Sequence, residues 1–152
     1  MARNAAQAKT LEKEYSNYRA LESKGLKSAI VQTHGLFGAE GLPGHKFLLL
    51  ENGGKTATQM TKANLKRHRK AYMSVLKRFH NAEVLIGNVE DGHILMDDCN
   101  RVTVISLSNI STDAPTKEEK REEKISFKRA ISYSKEPESD SQSSDVVDLV
   151  ES

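Results

Sequence analysis

The chain has 152 residues, which is enough for one small domain with tails but not for two full cores, and this argues against a large cleft enzyme. Hydrophobic residues make up 37%, aromatic residues 5% and charged residues 29%, and Trp is absent. This composition predicts an extended protein that is ordered mainly within an assembly.

The formal net charge of +2 hides a strong asymmetry along the chain. Residues 1–80 carry 15 Lys and Arg against 5 Asp and Glu, whereas residues 81–152 carry 8 against 16. This pattern predicts a basic half that meets polyanions and an acidic tail that stays in water. No apolar run approaches the roughly 18 to 20 residues of a membrane span and no secretory signal is visible, so we expect a soluble intracellular protein with no membrane partner.

The first unit, residues 1–25, is predicted to be an amphipathic helix that ends near Gly25. Its apolar stripe has helical spacing and consists of Ala8, Leu11, Tyr15 and Tyr18. The second unit, residues 26–54, contains a glycine-rich segment, residues 35–44, that we expect to form an ordered turn or loop and not a helix. Residues 46–51 then form an apolar run of strand length, closed by Asn52-Gly53-Gly54.

The third unit, residues 55–112, is predicted to hold a basic helix and a small antiparallel β meander. Residues 56–80 contain neither Gly nor Pro, and their apolar residues recur at helical spacing. These apolar residues include Leu65, Tyr72, Leu76 and Phe79. Three β-branched-rich runs separated by turn sequences follow, at residues 82–86, 93–97 and 101–107.

The fourth unit, residues 113–152, begins with Pro115-Thr116 followed by Glu119, a pattern that predicts a capped helix start and a charged helix over residues 117–124. Beyond Ser134 the chain is rich in Ser, Asp, Glu and Pro, which predicts disorder. The expected fold class is therefore α+β and extended. Its parts are two amphipathic helices, a Gly-rich loop, a small antiparallel β meander and a disordered acidic C-terminal tail.

Gly54-Lys55-Thr56 matches the closing half of a phosphate-binding loop, which is the strongest sign of an enzyme. The full pattern requires a glycine where Leu49 stands, so a hairpin or helix-entry turn is the favoured interpretation. The five histidines show no metal-ligand spacing, and Cys99 is the single cysteine. We therefore predict a protein that is not an enzyme, with no catalytic residue, no metal and no cofactor.

Residues 66–70, Lys-Arg-His-Arg-Lys, form a dense cationic block. On a helix, such a block binds phosphates through counterion release or serves as a nuclear import signal, and a merely solvated face is the alternative. No zinc finger, RNA-recognition signature or aromatic stacking sheet is visible, so contacts would be to the backbone and shape of the nucleic acid. The RNA-binding candidates in this block are Lys66, Arg67, Arg69 and Lys70.

Several short motifs follow one another between Met1 and Leu95. They are Met-Ala-Arg-Asn-Ala at residues 1–5, Phe-Gly-Ala-Glu-Gly-Leu-Pro-Gly at 37–44, Lys55-Thr56 with Met60, Lys62 and Ala63, and Glu-Asp-Gly-His-Ile-Leu at 90–95. In this order they resemble motifs of the Isy-type pre-mRNA splicing factors, which interact with spliceosomal Syf proteins. The chain resembles a divergent, shortened member, because only a short stretch separates Arg19 from Phe37 where the family has a longer helical region.

The resemblance implies a non-catalytic splicing factor that stabilises the branching conformation of the spliceosomal RNA core in the nucleus. The implied partners are proteins of the Prp-nineteen-related complex, together with U2, U6 and intron RNA. The N-terminal residues of the family reach the RNA core, which implies RNA contacts for Ala2, Arg3, Asn4 and Lys9. The glycine-rich segment would bind partner proteins through Phe37, Gly38, Leu42, Pro43 and Gly44.

Two other functions remain open: a nuclear nucleic-acid-binding adaptor that joins partner proteins, and a phosphate-binding enzyme. A hydrophobic tetrad flanked by acids and serines resembles a SUMO-interacting motif, which would add a strand to the sheet of SUMO. The tetrad consists of Val146, Val147, Leu149 and Val150. An apolar tail that packs on a neighbouring subunit is the alternative interpretation.

Overall fold

Residues 1–132 are described by a computed structural model, which begins with a long helix. Helix α1 spans Ala5–Ser23, and Asn4 caps it, since the Oδ1 atom of Asn4 accepts a hydrogen bond from the backbone N–H of Gln7 at 2.9 Å. Gly25, with a φ of +80°, follows the end of α1. The predicted N-terminal helix is confirmed, and the stripe on its inner face is buried most deeply at Ala8, Tyr18 and Leu21.

The glycine-rich segment forms a β-hairpin, so the turn or loop predicted over residues 35–44 is confined to residues 40–41 and the prediction is wrong for the residues in the strands. Strand β1, Thr33–Ala39, pairs antiparallel with strand β2, Leu42–Leu50. The segment still contains a tight connection, because Gly41 adopts a φ of +74° between the two strands and the pairing register shifts beside it. The strand predicted from the apolar run is the second half of β2.

The predicted helix over residues 56–80 is divided. One turn of 3₁₀-helix precedes α2, Lys62–Arg67, and α3, Arg69–Asn81, and the two α-helices meet at His68. The hydroxyl of Thr61 accepts a hydrogen bond from the backbone N–H of Asn64 at 3.2 Å, so a new helix begins inside the predicted one. The apolar stripe is confirmed, since the side chains at its positions are buried: Leu65, Tyr72, Leu76 and Phe79.

A second sheet has the order β3-β4-β5, and both of its pairs are antiparallel. Its strands are β3, Lys55–Thr56, β4, Ile94–Met96, and β5, Val102–Val104. Strands β4 and β5 confirm the last two runs of the predicted meander.

The first predicted strand of the meander, residues 82–86, is wrong. Val84 and Ile86 are buried, but the backbone there makes a single bridge, between Leu85 and Ser111. The place beside β4 is taken by β3, which is two residues long and carries no apolar alternation. Its position follows from pairing with a segment far along the chain, which local sequence patterns do not report.

Helix α4, Lys117–Ser132, begins as predicted and continues beyond the predicted residue 124. The backbone N–H of Thr116 donates to Glu119 Oε2 at 2.7 Å, and the N–H of Glu119 donates to Thr116 Oγ1 at 3.1 Å, which confirms the capping box. The longer helix brings Phe127 and Ile131 into the core. The acidic tail that was predicted to be disordered lies outside the described residues.

The apolar faces of α1, α3, α4 and the second sheet meet in one core within residues 1–132. Its largest fully buried side chains are Tyr18, Tyr72, Phe79 and Phe127. Hydrophobic residues are few in this chain, but their periodic placement puts them on facing sides of the elements. The expectation of an extended arrangement is therefore wrong for this part of the chain. None of the helices in residues 1–132 is both long and apolar enough to cross a bilayer.

Candidate nucleic-acid interface

The cationic block lies where α2 meets α3. Lys66 and Arg67 end α2, Arg69 and Lys70 begin α3, and all four side chains are exposed to solvent. Within residues 1–132 none of the four forms an ion pair, in contrast to Lys46, which binds Glu12 at 2.7 Å. Exposed cations without a carboxylate partner are free to neutralise phosphates, and the release of the counterions condensed on the nucleic acid then favours binding.

A groove of about 450 Å³ lies beside this block, between α2 and the end of α4. The side chains that line it belong to Lys62, Leu65, Lys66, Arg69, Ile131 and Ser132. Leu65 and Ile131 are each 2% exposed and form an apolar floor, whereas Lys66 and Arg69 form a cationic rim. The groove therefore suits an occupant that carries both negative charge and apolar groups.

The N-terminal residues are held at the edge of the hairpin. The backbone N–H of Ala2 donates to the carbonyl of Lys46 at 2.7 Å, and the N–H of Lys46 donates to the carbonyl of Ala2 at 3.1 Å. The Ala2 side chain is 1% exposed, and the Asn4 side chain caps α1. Of the four predicted RNA contacts near the N-terminus, only the side chains of Arg3 and Lys9 are thus exposed and without a structural task.

The predicted partner-binding residues do not share one role. Phe37 is 50% exposed and Leu42 is 51% exposed, so both present apolar surface to solvent. Gly44, with a φ of +90°, faces α1, where an added Cβ would lie 3.2 Å from the backbone of Asn4 and Ala5. Gly44 is therefore a packing residue, while Gly38 is exposed in β1. The side chain of Pro43 lies outside the described part of the chain.

Two further apolar residues on the hairpin are exposed, although the sequence does not predict them as binding residues. Phe47 lies directly opposite Phe37, and Leu49 follows two residues later, on the same face of β2. Phe47 is 42% exposed and Leu49 is 54% exposed. The Phe37 ring lies over Gly35, whose added Cβ would stand 3.0 Å from it. The hairpin therefore presents an apolar patch, made of Phe37, Phe47 and Leu49. The run of residues 47–50 is apolar throughout, so its sequence shows no alternation that would separate the exposed from the packed side chains.

The two surfaces are carried by different elements. The N-terminal residues and the apolar patch belong to the hairpin and α1, whereas the cationic block lies at the junction of α2 and α3, the two helices that contact α4. A partner on the hairpin therefore leaves the cationic block open to a second ligand.

Gly54-Lys55-Thr56 does not form a phosphate-binding loop in the structure. Lys55 and Thr56 make up β3, and Gly54 lies so close to β4 that an added Cβ would stand 2.1 Å from the carbonyl oxygen of Met96. A single 3₁₀ turn follows, not a long helix whose N-terminus would face phosphates. Among the described residues, no group of three or more His, Cys, Asp and Glu side chains is placed to hold a metal ion.

Two acidic groups lie elsewhere in the fold, one of them buried, Glu123, and the other partly buried, Glu14. Glu123 is 8% exposed and accepts hydrogen bonds from the backbone N–H groups of Ile86, at 3.0 Å, and Gly87, at 2.9 Å, while His80 Nε2 lies 2.9 Å from it. Burial raises the pKa of the Glu14 carboxyl above its usual 4.5. Burial, together with the nearby Glu14 carboxylate, raises the pKa of Tyr18 far above its ordinary value.

The predicted SUMO-interacting tetrad, Val146, Val147, Leu149 and Val150, lies outside the described residues.

A comparison with protein-family models finds no match to this chain, and a comparison with curated protein sequences finds none either.

Proposed function

We propose that this protein is a non-catalytic pre-mRNA splicing factor of the nucleus that stabilises the branching conformation of the spliceosomal RNA core. The proposal rests on the ordered motifs that resemble the Isy-type family. The observation that carries it furthest is the exposed cationic block, residues 66–70, whose four Lys and Arg side chains have no ion-pair partner within residues 1–132.

The cationic block would bind RNA phosphates. Lys66, Arg67, Arg69 and Lys70 lie within five consecutive residues around a helix junction, so they present charge over a short distance. Lys and Arg contacts to phosphates position a protein on RNA without reading its bases. This suits a factor that holds an RNA conformation, because the chemistry of branching belongs to the RNA and its Mg²⁺ ions.

Arg3 would add a contact from the N-terminal side. Because Ala2 is paired with Lys46, the backbone beside Arg3 is fixed relative to the hairpin. The N–H of Arg3 also donates to Gln7 Oε1 at 2.8 Å, which leaves the guanidinium as the mobile part of the residue. A guanidinium matches the geometry of a phosphate in a bidentate pair.

The hairpin would bind a protein of the Prp-nineteen-related complex. Half-exposed Phe37, Phe47 and Leu49 form the kind of aromatic and aliphatic patch that becomes the buried centre of an interface. Since the Ala2–Lys46 pairing joins this hairpin to the N-terminal residues, a partner that fixes the hairpin also fixes Arg3. The protein would then connect a protein surface to the RNA core.

An RNA-binding measurement with a matched control tests the cationic block. The test variant changes Lys66, Arg67, Arg69 and Lys70 to Gln, and the control changes four exposed lysines elsewhere to Gln, namely Lys13, Lys24, Lys27 and Lys77. Both variants lose four positive charges. We expect the test variant to lower the log–log slope of RNA affinity against salt by roughly 3, because each single-strand phosphate contact contributes about 0.7. Equal slopes for the two variants would contradict the proposal.

A nuclear nucleic-acid-binding adaptor is the second candidate function. The separation of the apolar patch from the cationic block favours it as well, since a protein and a nucleic acid would bind to different elements. The two functions differ in the RNA that the protein carries in cells. Recovery of diverse nucleic acids without enrichment of U2 and U6 RNA would favour the adaptor.

A further inference from the structure

A segment of the same chain is a candidate to bind the groove beside the cationic block, in addition to RNA. Two residues of helix α4, Ile131 and Ser132, line the groove, and Ser132 is the last residue that the structure describes. Residues 133–152 therefore continue from the wall of the groove itself. These twenty residues carry six Asp and Glu against one Lys.

One stretch of this acidic segment matches the groove in chemistry. Residues 145–151 read Asp-Val-Val-Asp-Leu-Val-Glu, so acidic side chains flank and interrupt an apolar tetrad. The groove offers an apolar floor at Leu65 and Ile131 and cations at Lys66 and Arg69. Burial of Val and Leu side chains on the floor, with carboxylates at the rim, satisfies both kinds of surface.

The connection between Ser132 and this stretch is short enough to favour binding within one molecule. Residues 133–145 separate Ser132 from Val146, so the connecting segment is 13 residues long. A ligand tethered over such a length reaches an effective concentration on the order of millimolar. A contact with a dissociation constant of about this value would therefore be half populated.

We infer that residues 145–151 bind the groove between α2 and α4 and compete there with RNA for Lys66 and Arg69. This inference rests on the proposed function for its RNA part, since it regulates the same cationic surface. Phosphorylation of Ser143 or Ser144 would add roughly −1.5 to −2 charges each and strengthen the contact. RNA binding to the block would require displacement of the acidic segment.

A spin-label measurement on the full chain tests the contact without RNA. The label is attached at Ser143→Cys in a chain whose exposed Cys99 is changed to Ser, and the methyl NMR signals of Leu65 and Ile131 are recorded. A matched chain carries the same label with Asp145, Asp148 and Glu151 changed to Asn, Asn and Gln. We expect the label to broaden the groove signals at least about twofold more in the acidic chain, because neutralisation removes the ionic contacts. Equal broadening in both chains would overturn the inference.

An RNA-binding cycle tests the competition. Neutralising Asp145, Asp148 and Glu151 should tighten RNA binding about fivefold at low salt when the groove is intact, because the internal competitor is weakened. In a chain that also carries Lys66→Gln and Arg69→Gln, the same neutralisation should tighten RNA binding by less than about twofold, since the site of competition is lost. If neutralisation tightened RNA binding equally with and without the Lys66 and Arg69 changes, the effect would come from general charge repulsion, and this would contradict binding in the groove. If the protein bound no RNA at all, the proposed function would fail, and the spin-label result would decide the contact alone.

Discussion

Ala2 and Lys46 pair through two backbone hydrogen bonds, of 2.7 and 3.1 Å, although they lie at opposite ends of the segment that contains α1 and β1. The side chain of Lys46 also binds Glu12 on α1 at 2.7 Å. The N-terminal residues, the helix and the hairpin are thus joined at one residue of β2. A partner on the hairpin and an RNA contact at Arg3 would be coupled through this pairing.

The first prediction concerns Arg3. Under the proposed function, Arg3→Ala should reduce branching efficiency in a splicing assay without removing the protein from the complex, because the hairpin contact remains intact. Arg3→Lys keeps the charge but not the bidentate geometry, so we expect an intermediate effect. Normal branching with Arg3→Ala would show that the guanidinium has no part in the reaction.

The second prediction concerns the apolar patch. Changing Phe37 and Phe47 to Ala should abolish incorporation into the complex, since aromatic anchors at an interface typically contribute about 2 kcal/mol or more each. Both side chains are about half exposed, so the free energy of unfolding should change little. Ile125→Ala, which truncates a side chain of similar exposure on α4, is the control. Full incorporation of the double variant at normal stability would place the partner elsewhere.

The third prediction concerns Glu123, which ties α4 to α3 and to the backbone of residues 86–87. Glu123→Ala should lower the free energy of unfolding by about 1 to 3 kcal/mol, because the variant leaves the buried N–H of Ile86 and the partly buried N–H of Gly87 without an acceptor. Glu122→Ala removes an exposed neighbour on the same helix and should change stability by less than about 0.5 kcal/mol. Urea unfolding of both variants measures the difference, and equal midpoints would exclude this role.

The fourth prediction concerns the pH dependence of stability. Burial raises the pKa of Glu14 in the folded state above 4.5, so the folded chain holds this proton more tightly than the unfolded chain. Ionisation of Glu14 therefore destabilises the folded chain. As the pH rises from 4.5 through the folded-state pKa of Glu14, the free energy of unfolding should fall. Glu14→Gln removes the cost, so the variant should be more stable than the parent at about pH 7.

The control for this prediction is Glu122→Gln, which makes the same chemical change at an exposed position. Chemical unfolding at several pH values would measure the difference between each variant and the parent. A Glu14→Gln difference that stays constant across the range would show that this carboxyl does not titrate differently in the folded protein.

Local signals predicted part of the fold well. The helical spacing from Ala8 to Tyr18 and the Thr116–Glu119 capping pattern both report interactions between residues within one or two turns, and both are confirmed. Glycines dominate residues 35–44 and therefore predict a turn or loop, although in the structure they occupy turn and bulge positions between paired strands.

Other features depend on residues far apart in the sequence. Strand β3 is two residues long, and its strand conformation depends on pairing with β4, some forty residues later. The local sequence of β3 therefore does not predict a strand. Glu123 also depends on distant residues. It is one of several acidic residues in a charged helix, and its role is visible only from the hydrogen bonds that it accepts from the backbone of residues 86–87. For the candidate interface, the cationic block was visible as charge, whereas the groove beside it required the end of α4 to be placed.

Affinity purification of the full tagged chain from the cells that make it tests the central claim most directly, with the RNAs and proteins that accompany it identified. The proposed function predicts enrichment of U2 and U6 RNA with intron RNA and with proteins of the Prp-nineteen-related complex. It also predicts that the Phe37→Ala, Phe47→Ala variant loses these components, while the Ile125→Ala control keeps them. Recovery of these RNAs and proteins at no more than the level of an untagged control would contradict the account.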